Sequence, residues 1–504
     1  MMMMADTLTN NVRLENSASS KVKPIAEIEL QDTITSTAID IIDPPPPPAN
    51  ENPQDAWLPI TESRNGNTFT ATCHLLCSGI GVQLLFLPMG FISLGWSWGI
   101  VWLTVAYSWQ LYTIWLLVNL HESSVTVPDP QINNNNNGNI RYSRFLHLAM
   151  VAFGEKLGKL LAMFPTLYLS GGTCVMYIIT GASTMERLYQ LVNCENHVGC
   201  NAKAFMTAAE WFLVFICLAI FIALFFPNLN SLAPVTLIGS ITALVYSTLL
   251  WLLSLTNSNR PVSAGAQTTV DAGGIRDVLN GIGFIALSFR GHNLVLEIQG
   301  TIPTNPKQPS RKPMWRGVII SYLVIAVCMY PLAIVGYWAY GNTKMNGGIL
   351  TSFTEINQNK TSKYIIGTIH LIILINYLCA FQIFAMPTFD NFERLYTSKK
   401  NKPCPRWVRA TIKVFIGGLT YFISVAVPFL PNLGALTGSI ALPLTLVYPC
   451  FMWLMIKKPR RFSKMWCLNL VLGSLGTMLS VLLATAAMWS LIADGLHANF
   501  FNPR

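Results

Sequence analysis

Charge is what this sequence has little of. Only 11% of its 504 residues are Asp, Glu, Lys or Arg, where a soluble globular chain carries about 25%, and 52% are hydrophobic. That shortage excludes a soluble protein of this length, because a single core stops growing near ~250–300 residues. A nucleic-acid surface is excluded as well: the net charge of +10 is spread over short segments between apolar runs. There is no HExxH helix, no P-loop and no paired in-membrane acids, so an enzyme is not expected. Carboxylates nowhere cluster densely enough to cage a metal, and no cofactor is expected. The stretch from Met1 to Thr68 has no apolar core of the kind a cleavable signal peptide needs.

Long apolar runs are what the chain has in abundance. A bilayer core about 30 Å thick takes roughly 20 apolar residues of helix. Eleven runs meet that need, near 69–93, 95–118, 160–182, 210–227, 234–255, 275–298, 316–340, 363–388, 408–428, 433–456 and 466–492. The lipid bilayer is therefore the first expected partner. Residues 1–68 read as a disordered cytoplasmic tail, and 69–495 as the membrane domain. Pro44–Pro48 favours extended polyproline II, which suits a spacer or a ligand for a partner domain.

Basic residues set the orientation. With the tail inside, 24 of the 33 Lys and Arg fall in segments on the inner side and 8 on the outer side. That bias places the N-terminus in the cytoplasm and the C-terminus outside. Cys194 and Cys200 then share an outside loop, where a disulfide is compatible with the compartment. The sequon Asn359-Lys360-Thr361 also lies outside, in position for a glycan.

Two runs are unlike plain lipid-facing helices. The first reads Ser78-Gly79-Ile80-Gly81-Val82-Gln83, with Pro88 close behind. Glycine is a poor helix former and proline removes a backbone donor. The segment is either an unwound stretch facing protein or a wet cavity, or a small-residue packing face. The sixth run holds Ser288, Arg290, Gly291, His292, Asn293 and Glu297. Charges inside a span each cost about 2.5–3.5 kcal/mol, so a polar interior is expected around them. Glu297 has a second reading, as a group at the cytoplasmic bilayer edge. These runs are the first and sixth of the first ten, so they hold matching places in two five-helix halves, 69–255 and 275–456, with 466–492 as an extra helix. Such paired interruptions point to a transporter with inverted repeats. Bare N–H groups suit a carboxylate and bare carbonyls an ammonium, so an amino acid fits the site.

Gly291-His292-Asn293-Leu294-Val295-Leu296-Glu297-Ile298-Gln299-Gly300-Thr301-Ile302-Pro303 resembles the amino acid/auxin permease family, within it the plant lysine–histidine-transporter-like branch. Ala152-Phe153-Gly154-Glu155-Lys156-Leu157-Gly158, Gly79-Ile80-Gly81 and Leu87-Pro88 support the match, which covers roughly residues 65–495. The resemblance implies an all-α, eleven-helix, LeuT-like membrane fold and proton-coupled amino acid uptake, usually at the plasma membrane. It implies that Ser78, Gly79, Ile80, Gly81 and Val82 cradle the carboxylate, while Ser288, Arg290, Gly291, His292 and Asn293 bind the amino group and line the pocket. His292 and Glu297 become the proton-coupling residues. The chain departs from commoner members at Gln83 and Phe86, and in having Ser288-Phe289-Arg290 before Gly291. A fixed cation at Arg290 disfavours lysine and favours neutral or acidic side chains.

Tyr168 and Tyr177 lie on the third run, where this fold often supplies a hydroxyl to the substrate; packing is the other reading. Asn376 and Gln382, in the eighth run, suit either the substrate route or helix pairing. Asp390 and Glu393, among basic residues at that run's inner end, read as solvated. His292, with an ordinary pKa near 6.5, favours protons over sodium. An auxin-type carboxylate carrier and a non-transporting amino acid sensor are the competing functions.

Overall fold

A computed structural model describes residues 53–123, 140–193, 206–257, 274–304, 308–341, 345, 347–358, 360–429, 434–493 and 501. Cys194, Cys200, Asn359 and the polyproline run lie outside the described residues, as do the side chains of His292 and Asn293.

The chain is helical almost throughout. α1 (Thr68–Gly79) opens on a capping box: the Thr70 amide donates to the Asn67 side chain and the Asn67 amide to Thr70 Oγ1. α2 (Val82–Leu85) follows a break, and α3 (Leu87–Leu120) runs on from it. α3 joins the end of the first apolar run to the whole of the second and kinks at Gly95, whose φ of 70° lies in the left-handed region. Next come α4 (Phe145–Phe153), α5 (Glu155–Asn193), α6 (Ala208–Phe225) and α7 (Ala233–Asn257). The sixth run becomes α8 (Gly274–Leu287), a 3-10 turn over Arg290–Leu294, and α9 (Val295–Gly300). α10 (Arg311–Tyr340), α11 (Ile349–Asn357), α12 (Lys363–Lys400), α13 (Arg406–Ala426), α14 (Gly434–Leu442), α15 (Tyr448–Lys457) and α16 (Lys464–Ala493) complete the bundle.

Among the described residues nine helices are long and apolar enough to cross a membrane. The stretches at 68–94 and 274–300 do not count as single helices because each is interrupted.

The packing order places both interruptions at the centre. α1 lies between α7 and α10, α8 lies between α3 and α14, and α12 packs on α5 and α7. The crossing of α3 and α8 depends on two glycines. A Cβ built on Gly90 would come 2.8 Å from the Gly281 carbonyl oxygen, and one on Gly281 would come 2.9 Å from that of Gly90. α12 has 38 residues, about 57 Å at ~1.5 Å per residue, so it overshoots a bilayer and carries Asp390 and Glu393 towards the end of the bundle where it finishes.

The tail boundary moves. Residues 53–67, expected to be disordered, form a 3-10 turn (Pro53–Trp57) and a packed strap in which Leu58, Ile60 and Thr61 are buried. Its buried apolar side chains, the pair of Asp55 with Arg144 and the pair of Glu62 with Arg409 hold this stretch against the bundle. The loop at 119–159 also contains ordered structure, namely α4 and a short antiparallel ribbon pairing Glu122–Ser123 with Ile140–Arg141.

Candidate functional site

The first helix ends where glycine permits it. Ile80 is extended (φ −114°, ψ 103°) and so is Gly81 (φ −157°, ψ −150°). The Ile80 amide still donates to Leu76 O at 2.9 Å, and the Gly81 carbonyl accepts from Leu84 N at 3.0 Å. Between them, the peptide joining Ile80 to Gly81 has no partner among the described residues, neither at its C=O nor at its N–H. Both residues are buried. A buried peptide normally finds partners, so this exception points to a ligand or an ordered water.

Side chains answer the carbonyls next to it. Gln83 Nε2 donates to Ser78 O at 2.9 Å and to Gly79 O at 3.3 Å. Tyr246 donates its hydroxyl to Gly81 O at 3.3 Å. Of the bare carbonyls expected at the break, those of Ser78, Gly79 and Gly81 are thus occupied from within the protein, leaving Ile80 O. Tyr177, on α5, lays its hydroxyl against Gly81 where any Cβ would collide with it, and that hydroxyl has no hydrogen-bond partner among the described residues.

The second break faces the first. α8 ends at Leu287, and Ser288 N and Phe289 N turn back to Ile285 O and Ala286 O at 3.1 Å each. Gln110 on α3 donates to Phe289 O at 3.0 Å, steadying the turn. Gly291 lies opposite Ser78, whose carbonyl oxygen would stand 3.5 Å from a Cβ at that position. The 3-10 turn carries His292 and Asn293. Between the breaks is a cavity of about 20 Å³, lined in part by Ser78, Gly79, Gln110, Ser288, Gly291 and Tyr322. That is room for about one water, so an amino acid enters only if the walls part.

Past Val82 a larger hollow of about 360 Å³ opens, lined by Val82, Phe86, Thr180, Thr184, Arg187 and Tyr377 among others. It lies at the end of the bundle that the charge bias assigns to the outside. The other end is sealed by charge. Arg144 holds Asp390 through two bonds, Nε to Oδ2 at 2.6 Å and Nη2 to Oδ1 at 3.2 Å, and holds Asp55 through Nη1 at 2.7 Å. Arg409 pairs with Glu62 at 3.0 Å and with Glu393 at 2.9 Å. Asp390 and Glu393, expected to be solvated, are buried instead: the Ile60 amide of the strap donates to Asp390 Oδ1 at 3.2 Å, and Arg144 and Arg409 close over the two carboxylates.

Other expected residues fall away from the cavity. Asn376 donates to Gly239 O at 2.8 Å and Gln382 to Ala219 O at 2.9 Å, so both tie α12 to its neighbours. Tyr168 stacks on Phe164. Glu297 is buried in the C-terminal piece of the broken run, where its Oε1 accepts from the Phe145 amide at 3.2 Å, at the start of α4. His74 on α1 was missed in the sequence. It is fully buried, its Nδ1 lies 2.9 Å from Thr236 Oγ1, and its Nε2 has no partner. A histidine inside the apolar run Ala71–Leu76 was the available signal.

A family model described as transmembrane amino acid transporter protein matches residues 64–493. The chain is 47% identical to lysine histidine transporter-like 8 of Arabidopsis thaliana over 90% of this chain and 84% of that protein. It is 46% identical to lysine histidine transporter-like 7 of the same plant, over 90% of each. Among solved structures it is similar to MHP1, a nucleobase-cation-symport-1 family transporter in a closed conformation with bromovinylhydantoin bound. There the TM-score is 0.53 at 13% identity, covering 90% of this chain and 99% of that one, which speaks for the fold alone.

Proposed function

We propose a function from one premise: this chain belongs to the family of transmembrane amino acid transporter proteins. It carries amino acids across a membrane by alternating access, coupled to protons, and binds the substrate at the two helix breaks. The observation that carries this reading is the buried, unpaired Ile80–Gly81 peptide. Its N–H, together with the Tyr177 hydroxyl, offers two donors to an α-carboxylate. Ile80 O offers an acceptor to the ammonium group. Ser78, Gly79, Val82, Ser288 and Gly291 form the walls.

In this reading the two broken stretches are also spans, giving eleven in all. The first half packs against the second, α1 on α10 and α3 on α8, as two inverted five-helix repeats would. The outer hollow is the entry and the ion-paired rim is the closed inner door. The charge bias supports an inside N-terminus and an outside C-terminus, and the plasma membrane is the membrane of this reading. A Cys194–Cys200 disulfide and a glycan at Asn359 belong to the same proposal.

His292 and Glu297 are the proposed proton carriers. Both belong to the broken sixth run, and Glu297 links it to α4 beside the rim, so a proton there can bias the door. The test is uptake of a panel of labelled amino acids by oocytes expressing the chain, with and without sodium. Uptake should rise as external pH falls from about 7 towards about 5, across the ordinary titration range of histidine, and should ignore sodium. Uptake that follows sodium and ignores pH overturns proton coupling. Saturable binding without accumulation would instead identify a sensor, with the tail as its output. Uptake of an auxin that no amino acid competes for would identify a carboxylate carrier.

A further inference from the structure

Arg290 is the least satisfied charge described at the centre of this molecule. It is 2% exposed and lies on the turn that follows α8. Its one hydrogen bond is from Nη1 to the sulfur of Met176, at 3.2 Å, and a thioether is a weak acceptor. Nε and Nη2 have no partner, and no carboxylate pairs with it among the described residues. A guanidinium stays protonated under any physiological condition, so the charge cannot be shed by titration. A lone buried cation is costly, and stable proteins pair such groups.

The unpaired atoms form a recognisable edge. Nε–H and Nη2–H point the same way and match the two oxygens of one carboxylate. Arg144 uses this same edge to hold Asp390, Nε at 2.6 Å and Nη2 at 3.2 Å. Arg290 reaches α5 at Met176, next in sequence to Tyr177, whose hydroxyl touches Gly81, and it precedes Gly291, which lines the cavity between the breaks, so these contacts bring Arg290 to the same two breaks as the unpaired peptide.

We propose that Arg290 selects amino acids with a side-chain carboxylate, gripping that carboxylate bidentately while the Ile80–Gly81 peptide takes the α-carboxylate and ammonium groups. Charge balance favours this ligand over a neutral one. A zwitterion leaves the buried cation uncompensated, whereas an acidic amino acid brings the one extra negative charge that cancels it. The inference rests on the transport reading above.

Uptake of labelled glutamate and glutamine, near-isosteric and differing by that charge, tests it in cells displaying the full chain. Wild type should take glutamate with a KM at least about tenfold below that for glutamine. Arg290→Met should raise the glutamate KM on the order of 100-fold and leave glutamine within about threefold, because one partner of a buried pair is lost. Arg290→Lys, which keeps the charge and loses the fork, should fall between them. Should Arg290→Met fail to reach the surface, competition in wild type decides: glutamate must displace labelled substrate better than glutamine does. Uptake of neutral amino acids with glutamate excluded overturns this inference and spares the transport reading. Equal losses for both substrates in Arg290→Met also overturn it, as does an ammonium-free monocarboxylate carried through Arg290. A surface-expressed wild type that carries no amino acid overturns both.

Discussion

Two arginines are buried to nearly the same degree, Arg144 at the inner rim with 6% exposure and Arg290 at the helix break with 2%. Arg144 is saturated. It meets two carboxylates, Asp390 and Asp55, and the hydroxyl of Thr61 at 3.1 Å. Arg290 meets a sulfur. The rim keeps its pairs inside the protein, so they close and stiffen the structure. The centre leaves donors and acceptors unpaired, which is costly in the absence of a ligand and useful once a ligand supplies the partners. The difference separates the part of the fold that seals from the part that recognises.

The comparison breaks most visibly at the rim. Asp390→Asn should leave Arg144 short of a charge and destabilise the protein by about 3–5 kcal/mol, read from thermal melting of purified protein in detergent or nanodiscs. The double change Arg144→Met with Asp390→Met should recover much of that loss, since no lone charge then remains. A melting midpoint for Asp390→Asn equal to wild type would mean that the pair seals nothing.

A smaller effect is expected at the centre, and in binding rather than stability. Tyr177→Phe removes one hydroxyl donor to the proposed carboxylate and should cost about 1.5–3 kcal/mol, about 10- to 150-fold in KM, with an unchanged melting point. Unchanged uptake kinetics would show that the hydroxyl does no more than pack. Gly81→Ala should abolish uptake for a steric reason, because the new Cβ meets the Tyr177 hydroxyl; adding Tyr177→Phe should restore part of it.

The smallest effect sharpens the contrast from the solvent side. Arg187 and Glu355 stand 4.0 Å apart with side chains 41% and 65% exposed. Glu355→Gln should change stability by no more than about 0.5 kcal/mol, because water screens the pair. A melting shift as large as that of Asp390→Asn would show that burial is not what distinguishes the rim.

Much of the bundle was legible in the residues. Each apolar run from the third to the fifth, and from the seventh to the eleventh, falls on a helix or a helix pair, because about 20 apolar residues in a row leave little alternative, although the helices at Glu155–Asn193 and Lys363–Lys400 run well past the ends of their runs. The break after Gly79 was legible in part, as one of two readings of a glycine-rich segment, and the backbone resolves it as an unwound stretch. What could not be read was which polar group answers which. Gln83 stood out in the sequence as unusual, yet nothing local says that its amide satisfies the carbonyls of Ser78 and Gly79. Asp390 looked solvated because its partner Arg144 is 246 residues away. Asn376 suited either the substrate route or helix pairing, and its bond to Gly239 O ties two helices.

The sequence by itself marked this chain as a membrane protein, laid out its long apolar helices and flagged the two places where a helix is weak. These follow from local composition, since hydropathy and helix propensity are properties of neighbouring residues. Only the tertiary structure decided that, among the described residues, Arg144 is matched and Arg290 is not, that residues 53–67 belong to the folded bundle, and that one peptide at the centre goes without a partner. Hydrogen bonds and ion pairs reach only a few ångströms, so they depend on which distant segments the packing brings together.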